Sequence, residues 1–313
     1  MDLVFEHEIT EKNFTSFFTA HGYTGIAPVD ITSRIDKTVY LVNSATNLFK
    51  PFLSKAGACV YAIQPSMRTQ ILHDYYCEEC ETEFPTCFKS FGVYVSIEHL
   101  QKLVDDCIEF FAFIGLEPDK MRIRASYNDP MLIDAATASI IGKAVEMDTR
   151  TWKYEHNYGL TITGRAIKLD YYQEWSSKHK NLCYFLIISE EGVPKGAEMA
   201  TSDQLIIMRL RNLKYAISAA KIAQKLPTQT FVQRRFADSI VGAANLMHEH
   251  IRPNSSNTNG RTIKKYLKSV RFFGEQQELS QDDIISIIFD YIRFEFQDEI
   301  KMDTIYSYFD KCL

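Results

Sequence analysis

The chain has 313 residues and a formal net charge of −5, with 46% apolar and 24% charged residues. This composition excludes collagen-like, intrinsically disordered and disulfide-scaffold proteins. Acidic residues outnumber basic ones by 40 to 35, so a uniformly basic nucleic-acid-binding surface is excluded and any phosphate-binding site must be local. The length fits one large domain or two medium ones, because single cores stop growing at roughly 250–300 residues.

The amino-terminal residues MDLVFEHEIT are acidic where a secretory signal needs a basic start and an apolar run. No stretch reaches the roughly 18 apolar residues of a membrane span. Seven cysteines are odd in number and scattered, which favours reduced thiols over a disulfide framework. We therefore expect a cytoplasmic protein without membrane attachment.

Short alternating or apolar runs characterise the first part of the chain and predict strands. The helical pattern of residues 97–115 lies between two of these runs, with Ser96 as its predicted N-cap. Strands that do not alternate regularly with helices favour an antiparallel or mixed sheet over a doubly wound parallel one. The predicted strands are residues 59–63, 88–95, 121–126, 166–171 and 183–188.

The apolar period changes to 3.6 in the second part of the chain. A capping box of Ser280 and Asp283 begins the last of these patterns, with Leu279 and Ile284 placed for a hydrophobic staple. The sequence thus predicts an α+β domain over residues 1–203 and an all-α domain over 204–313. The helical patterns are residues 203–226, 231–251, 262–274 and 280–294.

Four stretches together carry a family pattern. Residues 21–53 contain a His–Gly turn, a proline and an Asn-x-x-x-Asn-x-Phe-Lys run that ends at Lys50. The other three are residues 62–70 with 85–96, residues 151–172 with a Gly-rich turn, and the helical residues 235–274. In this order and spacing they resemble class II aminoacyl-tRNA synthetases, specifically the catalytic core and following helical region of alanyl-tRNA synthetase.

The resemblance implies a class II synthetase-like antiparallel sheet flanked by helices, in an enzyme that uses ATP and Mg²⁺. The implied reaction is attack of an amino-acid carboxylate on the α-phosphate of ATP. This step moves no proton, so the protein must supply positive charge and orientation. Arg68 matches the family's nucleotide-binding arginine, whose guanidinium can fork two phosphate oxygens. Phe88 matches the aromatic residue that stacks under adenine, and Lys89 follows it.

The resemblance also implies an amino-acid pocket. Glu198 stands where the family has an aspartate for the substrate ammonium, and Trp152 matches the pocket tryptophan. Thr46 and Asn47 lie where the pocket floor runs, and Asp170 is an acid that the family shares. For Glu198 a solvated loop acid is the alternative, and for Trp152 and Phe88 a plain core position.

The chain departs from the family where the third motif should supply a Gly-rich turn and a phosphate-binding arginine. Leu205 occupies the arginine position, and Glu83 and Ala166 replace a basic and an acidic residue elsewhere. One preorganised charge contact contributes roughly 3–4 kcal/mol to such catalysis, so these losses would slow ordinary ATP chemistry. Lys89, Lys168 or Arg165 could compensate from new positions.

Three functions are compatible with the sequence. The first is a stand-alone ligase that activates an amino acid as its adenylate, for a carrier protein, a small molecule or a tRNA acceptor end, and acts as a possible homodimer. The second is a non-catalytic regulatory relative that binds an amino acid or a nucleotide. The third is a transferase that uses aminoacyl-tRNA, for which Lys264, Lys268 and Arg271 would offer one basic helical face.

A zinc site is the weaker interpretation of the loop around the Cys-x-x-C pair. Cys77 and Cys80 lie near His73, but a second Cys-x-x-C is missing. Cys87 adjoins Phe88 on a predicted strand and should point elsewhere. We therefore expect no metal ligands among the site residues.

Overall fold

The computed structural model describes residues 2–312 except 83, 127–128, 149–154, 160 and 298–299. Within these residues it contains a nine-stranded sheet with helices on its faces, followed by a helical region, so the fold is α+β as predicted. None of the described helices is long and apolar enough to cross a membrane.

The strands include all five that the sequence predicts. They are β1 (Thr24–Ile26), β2 (Cys59–Met67), β3 (Cys87–Ser96), β4 (Met121–Ser126), β5 (Val145–Asp148), β6 (Glu155–Asn157), β7 (Ile162–Gln173), β8 (Lys178–Glu190) and β9 (Val193–Ser202). The sheet order is β1-β2-β3-β9-β8-β7-β4-β5, with β6 paired to β7. The six strands from β2 to β4 in this order are antiparallel, and the two edge pairs are parallel. The sheet is therefore mixed, with an antiparallel centre.

The helices confirm most of the predicted patterns. They are α1 (Leu3–Ala20), α2 (Thr46–Phe49), α3 (Leu100–Phe113), α4 (Pro130–Ala138), α5 (Asp203–Leu210), α6 (Phe231–His248), α7 (Thr258–Glu275), α8 (Gln281–Phe296) and α9 (Met302–Asp310). The prediction of one helix over 203–226 is wrong, because α5 ends at Leu210 and two short 3₁₀ turns follow, Ala216–Ala219 and Lys221–Gln224. Asn212 there has a φ of 53°, which an α-helix does not accommodate.

One face of the sheet carries the main apolar core. Residues such as Val93, Phe185 and Ile167 point to this face and pack against α1, α3 and α4. Phe14 of α1 lies at its centre, with its ring 4.6 Å from that of Phe91 and 5.3 Å from that of Phe110. The many aromatic residues of the chain are thus largely core residues, and the opposite face of the sheet is left for other groups.

The helical region builds a second core around α6, α7, α8 and α9. The predicted capping box of Ser280 and Asp283 is present at the start of α8, and Leu279 and Ile284 pack into the same cluster. Met67 and Cys87 of the sheet also belong to this cluster. The change from strand to helix falls at Ser202 and Asp203, whereas two separate domains at 1–203 and 204–313 stay a prediction.

Ser96 does not cap a helix as predicted. Its hydroxyl donates to the Lys55 carbonyl at 2.9 Å and accepts the Ala58 N–H at 2.8 Å, so it ties β3 to the start of β2. A 3₁₀ turn, Ile97–His99, comes between Ser96 and α3. The hydroxyl is therefore used by a neighbouring strand before the helix begins.

A buried ion pair attaches α1 to the start of α5. Nδ1 of His7 lies 2.9 Å from Oδ2 of Asp203, and Nε2 lies 2.8 Å from the Ala219 carbonyl. Because both ring nitrogens face acceptors, the protonated imidazolium satisfies both. Although burial lowers it, the Asp203 carboxylate raises the pKa of His7 above its usual value, and His7 in turn holds the pKa of Asp203 low.

We expect Asp203→Asn to lower the free energy of unfolding by about 3 kcal/mol, because it leaves His7 buried without its counter-charge. The contribution of His7 is complete below about pH 6.5 and is lost as the pH rises through its raised folded pKa. Urea titrations at pH 5.5 and 8.5 should therefore show the larger loss at pH 5.5. Asp310→Asn on the exposed side of α9 is the matched control, and an equal loss in both variants would contradict the assignment.

Candidate active site

The second face of the sheet is polar at its centre. Successive residues of a strand point to opposite faces, so the strands that send Val93 and Phe185 into the core send their alternate residues here. The register places Tyr94 opposite Glu198 and Glu198 opposite Leu186. The side chains on this face include Ser90, Tyr94, Lys168, Tyr184, Leu186, Glu198, Ala200 and Ser202.

Helix α2 lies directly on this face because β3 carries a glycine beneath it. A Cβ added at Gly92 would lie 2.5 Å from the Cβ of Ala45 and 2.7 Å from the ring of Phe49, so a larger residue would push the helix away. The ring of Phe49 also stacks on that of Tyr94, with centroids 5.7 Å apart. The close approach brings Thr46, the first residue of α2, onto the sheet.

The buried carboxyl group beneath α2 is that of Glu198. Thr46 Oγ1 donates to Glu198 Oε1 at 2.8 Å, and the side chain is fully buried. Burial raises the pKa of Glu198 to about 8, despite the hydrogen bond from Thr46 that favours the charged form. Near neutral pH this carboxyl group is therefore mostly protonated, and a cation placed against it would ionise it.

A hydrogen-bonded network orients the second residue of α2. Asn47 Oδ1 accepts two backbone N–H groups of the preceding turn, at 3.1 and 3.2 Å. Its Nδ2 donates to Asp36 Oδ2 at 2.7 Å, and Lys50 Nζ lies 2.6 Å from the same oxygen. Lys50 also donates to the Tyr158 carbonyl at 2.6 Å. Although burial raises it, the hydrogen bonds from Lys50 and others lower the pKa of Asp36, so the network is ionised.

Arg68 lies between two aromatic rings at the end of β2. The guanidinium carbon is 5.0 Å from the centroid of Phe84 and 4.9 Å from that of Phe88. In the described part of the chain no carboxylate pairs with this guanidinium. Burial lowers the pKa of Arg68, although the group still carries its charge at neutral pH. A half-buried, unneutralised arginine held by two rings is preorganised to receive an anion.

These groups surround one cavity of about 710 Å³. Thr46, Asn47 and Lys50 line one side, and Arg68 and Phe84 line another. Glu198 lies just behind Thr46 and does not line the cavity itself. The other lining residues are Thr38, Val39, Asn43, Ser44, Gln70, Thr82, His156, Asn157, Tyr158, Gly159, Tyr184, Leu186 and Ala200.

Phe88 and Lys89 are adjacent in sequence but lie on opposite faces of β3. Phe88 contacts Arg68 as described. Lys89 points toward α1, where Nζ lies 2.5 Å from Glu11 Oε1, and it lines a second cavity of about 380 Å³ together with His7 and Asp203. Phe88 also lines this second cavity, so what separates the two residues is the contact of the Phe88 ring with Arg68.

Asp170 does not line the cavity. It is fully buried and accepts two hydrogen bonds from Arg124, from Nε at 2.5 Å and from Nη2 at 3.1 Å. Trp152 and Glu83 lie outside the described residues. Leu205 is buried near the start of α5 and packs against Ile207 and Met208, so its position supplies no charge.

Several lining residues were not singled out by the sequence analysis. Lys50 belongs to the quoted Asn-x-x-x-Asn-x-Phe-Lys run, which was the available signal for it. His156 and Tyr158 lie in the quoted stretch 151–172, and Phe84 lies just before the stretch 85–96, but no motif marked these three side chains, which the fold brings to the cavity. Burial lowers the pKa of His156, and the positive charges of Lys168 and Arg68 lower it further, so this imidazole is neutral at neutral pH and adds no charge to the cavity.

The cavity fits an anionic ligand better than it fits a bound metal ion. None of the described lining residues is an aspartate or glutamate. Among the residues that the structure describes, no group of three or more His, Cys, Asp or Glu side chains could hold a metal. Magnesium prefers oxygen ligands and often binds through substrate phosphates and water, and the described lining offers no carboxylate to hold it.

No protein-family model and no curated protein matches the chain. Solved structures do match. Apo histidyl-tRNA synthetase from S. aureus is 12% identical, with 85% of each chain covered and a TM-score of 0.42. Aspartyl-tRNA synthetase from Entamoeba histolytica is 11% identical, with 70% of this chain and 57% of that chain covered and a TM-score of 0.45.

Asparaginyl-tRNA synthetase from Pyrococcus horikoshii, complexed with asparaginyl-adenylate, is 10% identical, with 70% of this chain and 67% of that chain covered and a TM-score of 0.41. These proteins are class II aminoacyl-tRNA synthetases, and none is an alanyl enzyme. The likeness is one of fold, and sequence identities this low do not indicate a shared substrate.

Proposed function

We propose that this protein binds an amino acid and ATP in the 710 Å³ cavity and joins them as an aminoacyl adenylate. The observation that carries the proposal is the position of Arg68, a half-buried guanidinium without a described carboxylate partner, in the same cavity as Thr46 and Asn47. Adenylate formation needs fixed positive charge and orientation and no general base.

In the proposed reaction a carboxylate oxygen of the amino acid bonds to the α-phosphorus of ATP. The bond from this phosphorus to the bridging oxygen of the β-phosphate breaks, and pyrophosphate leaves. Arg68 would stabilise the charge on the α-phosphate oxygens, and Phe84, which lines the cavity, offers a face for adenine. The Lys50–Asp36–Asn47 network would keep α2 in place.

Glu198 would balance the charge of the substrate ammonium group from behind Thr46, whose hydroxyl lies between the carboxyl group and the cavity. To do so it must become the anion, so binding of the ammonium releases a proton from a carboxyl group whose pKa is about 8. The acceptor of the activated amino acid would be a carrier protein, a small molecule or a tRNA acceptor end. We further propose that the protein acts in the cytoplasm, that it is an alanyl-tRNA-synthetase-like ligase, and that it forms a homodimer.

The direct test is amino-acid-dependent exchange of labelled pyrophosphate into ATP, measured with each standard amino acid and with Mg²⁺ present. We expect exchange with one amino acid or a few small ones. Exchange that occurs without any amino acid, or with none of them at high enzyme concentration, would reject the adenylating function.

The proton linkage gives a second prediction. For the accepted amino acid, affinity measured by calorimetry should rise by up to about tenfold per pH unit between pH 6 and 8, because ionised Glu198 is the binding form. In Glu198→Gln this slope should vanish and binding should be weak throughout. A slope of equal size in Glu198→Gln would assign the released proton to another group.

Leu205 favours a second candidate, a regulatory protein that binds the same ligands without turnover. The cation that the related synthetases supply from this position is missing, because Leu205 is buried among apolar side chains. This candidate predicts calorimetric binding of an amino acid or of ATP without pyrophosphate exchange. Absence of any binding would remove both candidates.

A further inference from the structure

The Cys-x-x-C pair of the chain places two thiols in contact on an exposed turn. The sulfurs of Cys77 and Cys80 lie 2.7 Å apart. The Cys77 N–H donates to the Asp74 carbonyl at 3.0 Å, and the Glu81 N–H donates to the Glu78 carbonyl at 3.1 Å. These two turns bring both side chains to one side, with Cys80 exposed and Cys77 half-buried.

The other cysteines are placed differently. Cys87, Cys107 and Cys183 are buried, and burial raises the pKa of each thiol well above its usual value. Cys59 and Cys312 are half-buried, at distant places in the fold. Among the described cysteines, Cys77 and Cys80 are the pair whose sulfurs touch. They are therefore the thiols with both the access and the geometry for bond formation.

The surroundings of the pair do not resemble a zinc site. Structural zinc is held by four ligands as a rule. Within the described residues, no third His, Cys, Asp or Glu side chain joins the two sulfurs in a group that could hold a metal. The Cys77 thiol instead donates to Glu79 Oε2 at 3.4 Å, and the hydrogen bond with Cys77 raises the pKa of Cys80 to about 11.

The turn is anchored on both sides, so its sulfurs stay together. Before it, the Tyr75 hydroxyl donates to Asp238 Oδ2 at 2.7 Å. After it, Glu81 accepts from Nε and Nη2 of Arg234 at 2.8 and 2.7 Å. The chain then continues to Phe84, which contacts Arg68 in the cavity. The pair thus lies on the segment that leads to the candidate active site.

We propose that Cys77 and Cys80 form a reversible redox site, oxidised by low-molecular-weight disulfides to an intramolecular disulfide and restored by thiols. One protein thiolate attacks a sulfur of the reagent, breaks its S–S bond and releases one thiolate. The second protein thiolate then attacks the resulting mixed disulfide and releases the other. Two electrons pass from the cysteine pair to the reagent, and the two protons of the pair end on the released thiols or in solvent.

The test uses the full chain and 2-hydroxyethyl disulfide, an uncharged reagent that the acidic side chains of the turn do not repel. After exposure, remaining thiols are labelled with N-ethylmaleimide in denaturant, and the intact mass is measured. We expect the wild type to lose two labels and to regain both after dithiothreitol. Fragment masses should join Cys77 to Cys80.

The matched controls are Cys87→Ser, from the adjoining strand, and Cys59→Ser, which should both still lose two labels. The Cys77→Ser and Cys80→Ser variants should not lose two labels. In each of them the reagent should stay bound to the remaining cysteine as a mixed disulfide. A mixed disulfide that persists in the wild type, linkage to another cysteine, or one zinc ion per purified chain would each overturn the proposal. The wild-type fragment masses decide the matter even if a serine variant fails to fold.

Discussion

Arg68→Ala is expected to lower amino-acid-dependent ATP–pyrophosphate exchange by about 10²–10³-fold, because it removes a preorganised charge from a desolvated site. Arg68→Lys should recover only part of the rate, since a lysine ammonium cannot fork two phosphate oxygens or stack as a plane between Phe84 and Phe88. The two variants separate charge from geometry at the same position.

The control for this prediction is Arg271→Ala, which removes an exposed arginine on α7 paired with Glu275. It should leave exchange unchanged. Thermal unfolding must be measured beside the activity, because Arg68 also packs between two rings and its loss could unfold the site. A stable Arg68→Ala protein that keeps more than a tenth of the exchange rate would show that the arginine does not serve the phosphates.

Glu198 should make the protein less stable as the pH rises from 4.5 to 8. Burial raises the pKa of this carboxyl group to about 8, so over this range the folded state holds a proton that the unfolded state has released. Stability then falls with pH by at most about 1.4 kcal/mol per pH unit from this group, a few kcal/mol in total. In Glu198→Gln the side chain is neutral at every pH, and this decrease should be absent.

Urea titrations of the wild type and Glu198→Gln at pH 5, 6, 7 and 8 measure the effect. We expect the free energy of unfolding of the variant to rise relative to that of the wild type at each pH step, so that the variant is the more stable protein at pH 8. Glu155→Gln, at an exposed position of β6, should follow the wild type. Parallel curves for wild type and Glu198→Gln would mean that Glu198 is ionised in the folded state.

Much of the secondary structure could be predicted from local sequence because local physics produces it. The alternation in residues 88–95 and 183–188 matches the pleat of a strand, and Ser280 with Asp283 caps α8 within one turn of chain. Helix α1 was not predicted from the sequence, because its buried face includes the polar residues His7 and Thr10, which weaken the apolar period. Their polarity is compensated by partners, in the case of His7 by Asp203, 196 residues away.

The site residues were likewise predictable only in part. Family resemblance was enough to select Arg68, Phe88, Thr46, Asn47 and Glu198, and the structure brings these five to one part of the sheet. The resemblance also selected Lys89 and Asp170 as site residues. In the structure, however, Lys89 faces α1 and Asp170 is held by Arg124. Whether such a residue reaches the site depends on the face of the sheet to which its side chain points and on the residues that it meets there. A short motif specifies neither.

The sequence by itself determined the α+β composition, the change from strands to helices at about residue 203, and the residue types from which a phosphate and ammonium site could be built. Only the tertiary structure decided which of them act together. Gly92 lets α2 reach the sheet, Thr46 then covers Glu198, and that burial changes the charge of the carboxyl group at neutral pH. The physical reason is that a pKa and an unpaired charge depend on the solvent and neighbours that surround a group, and those are set by contacts between residues far apart in the chain.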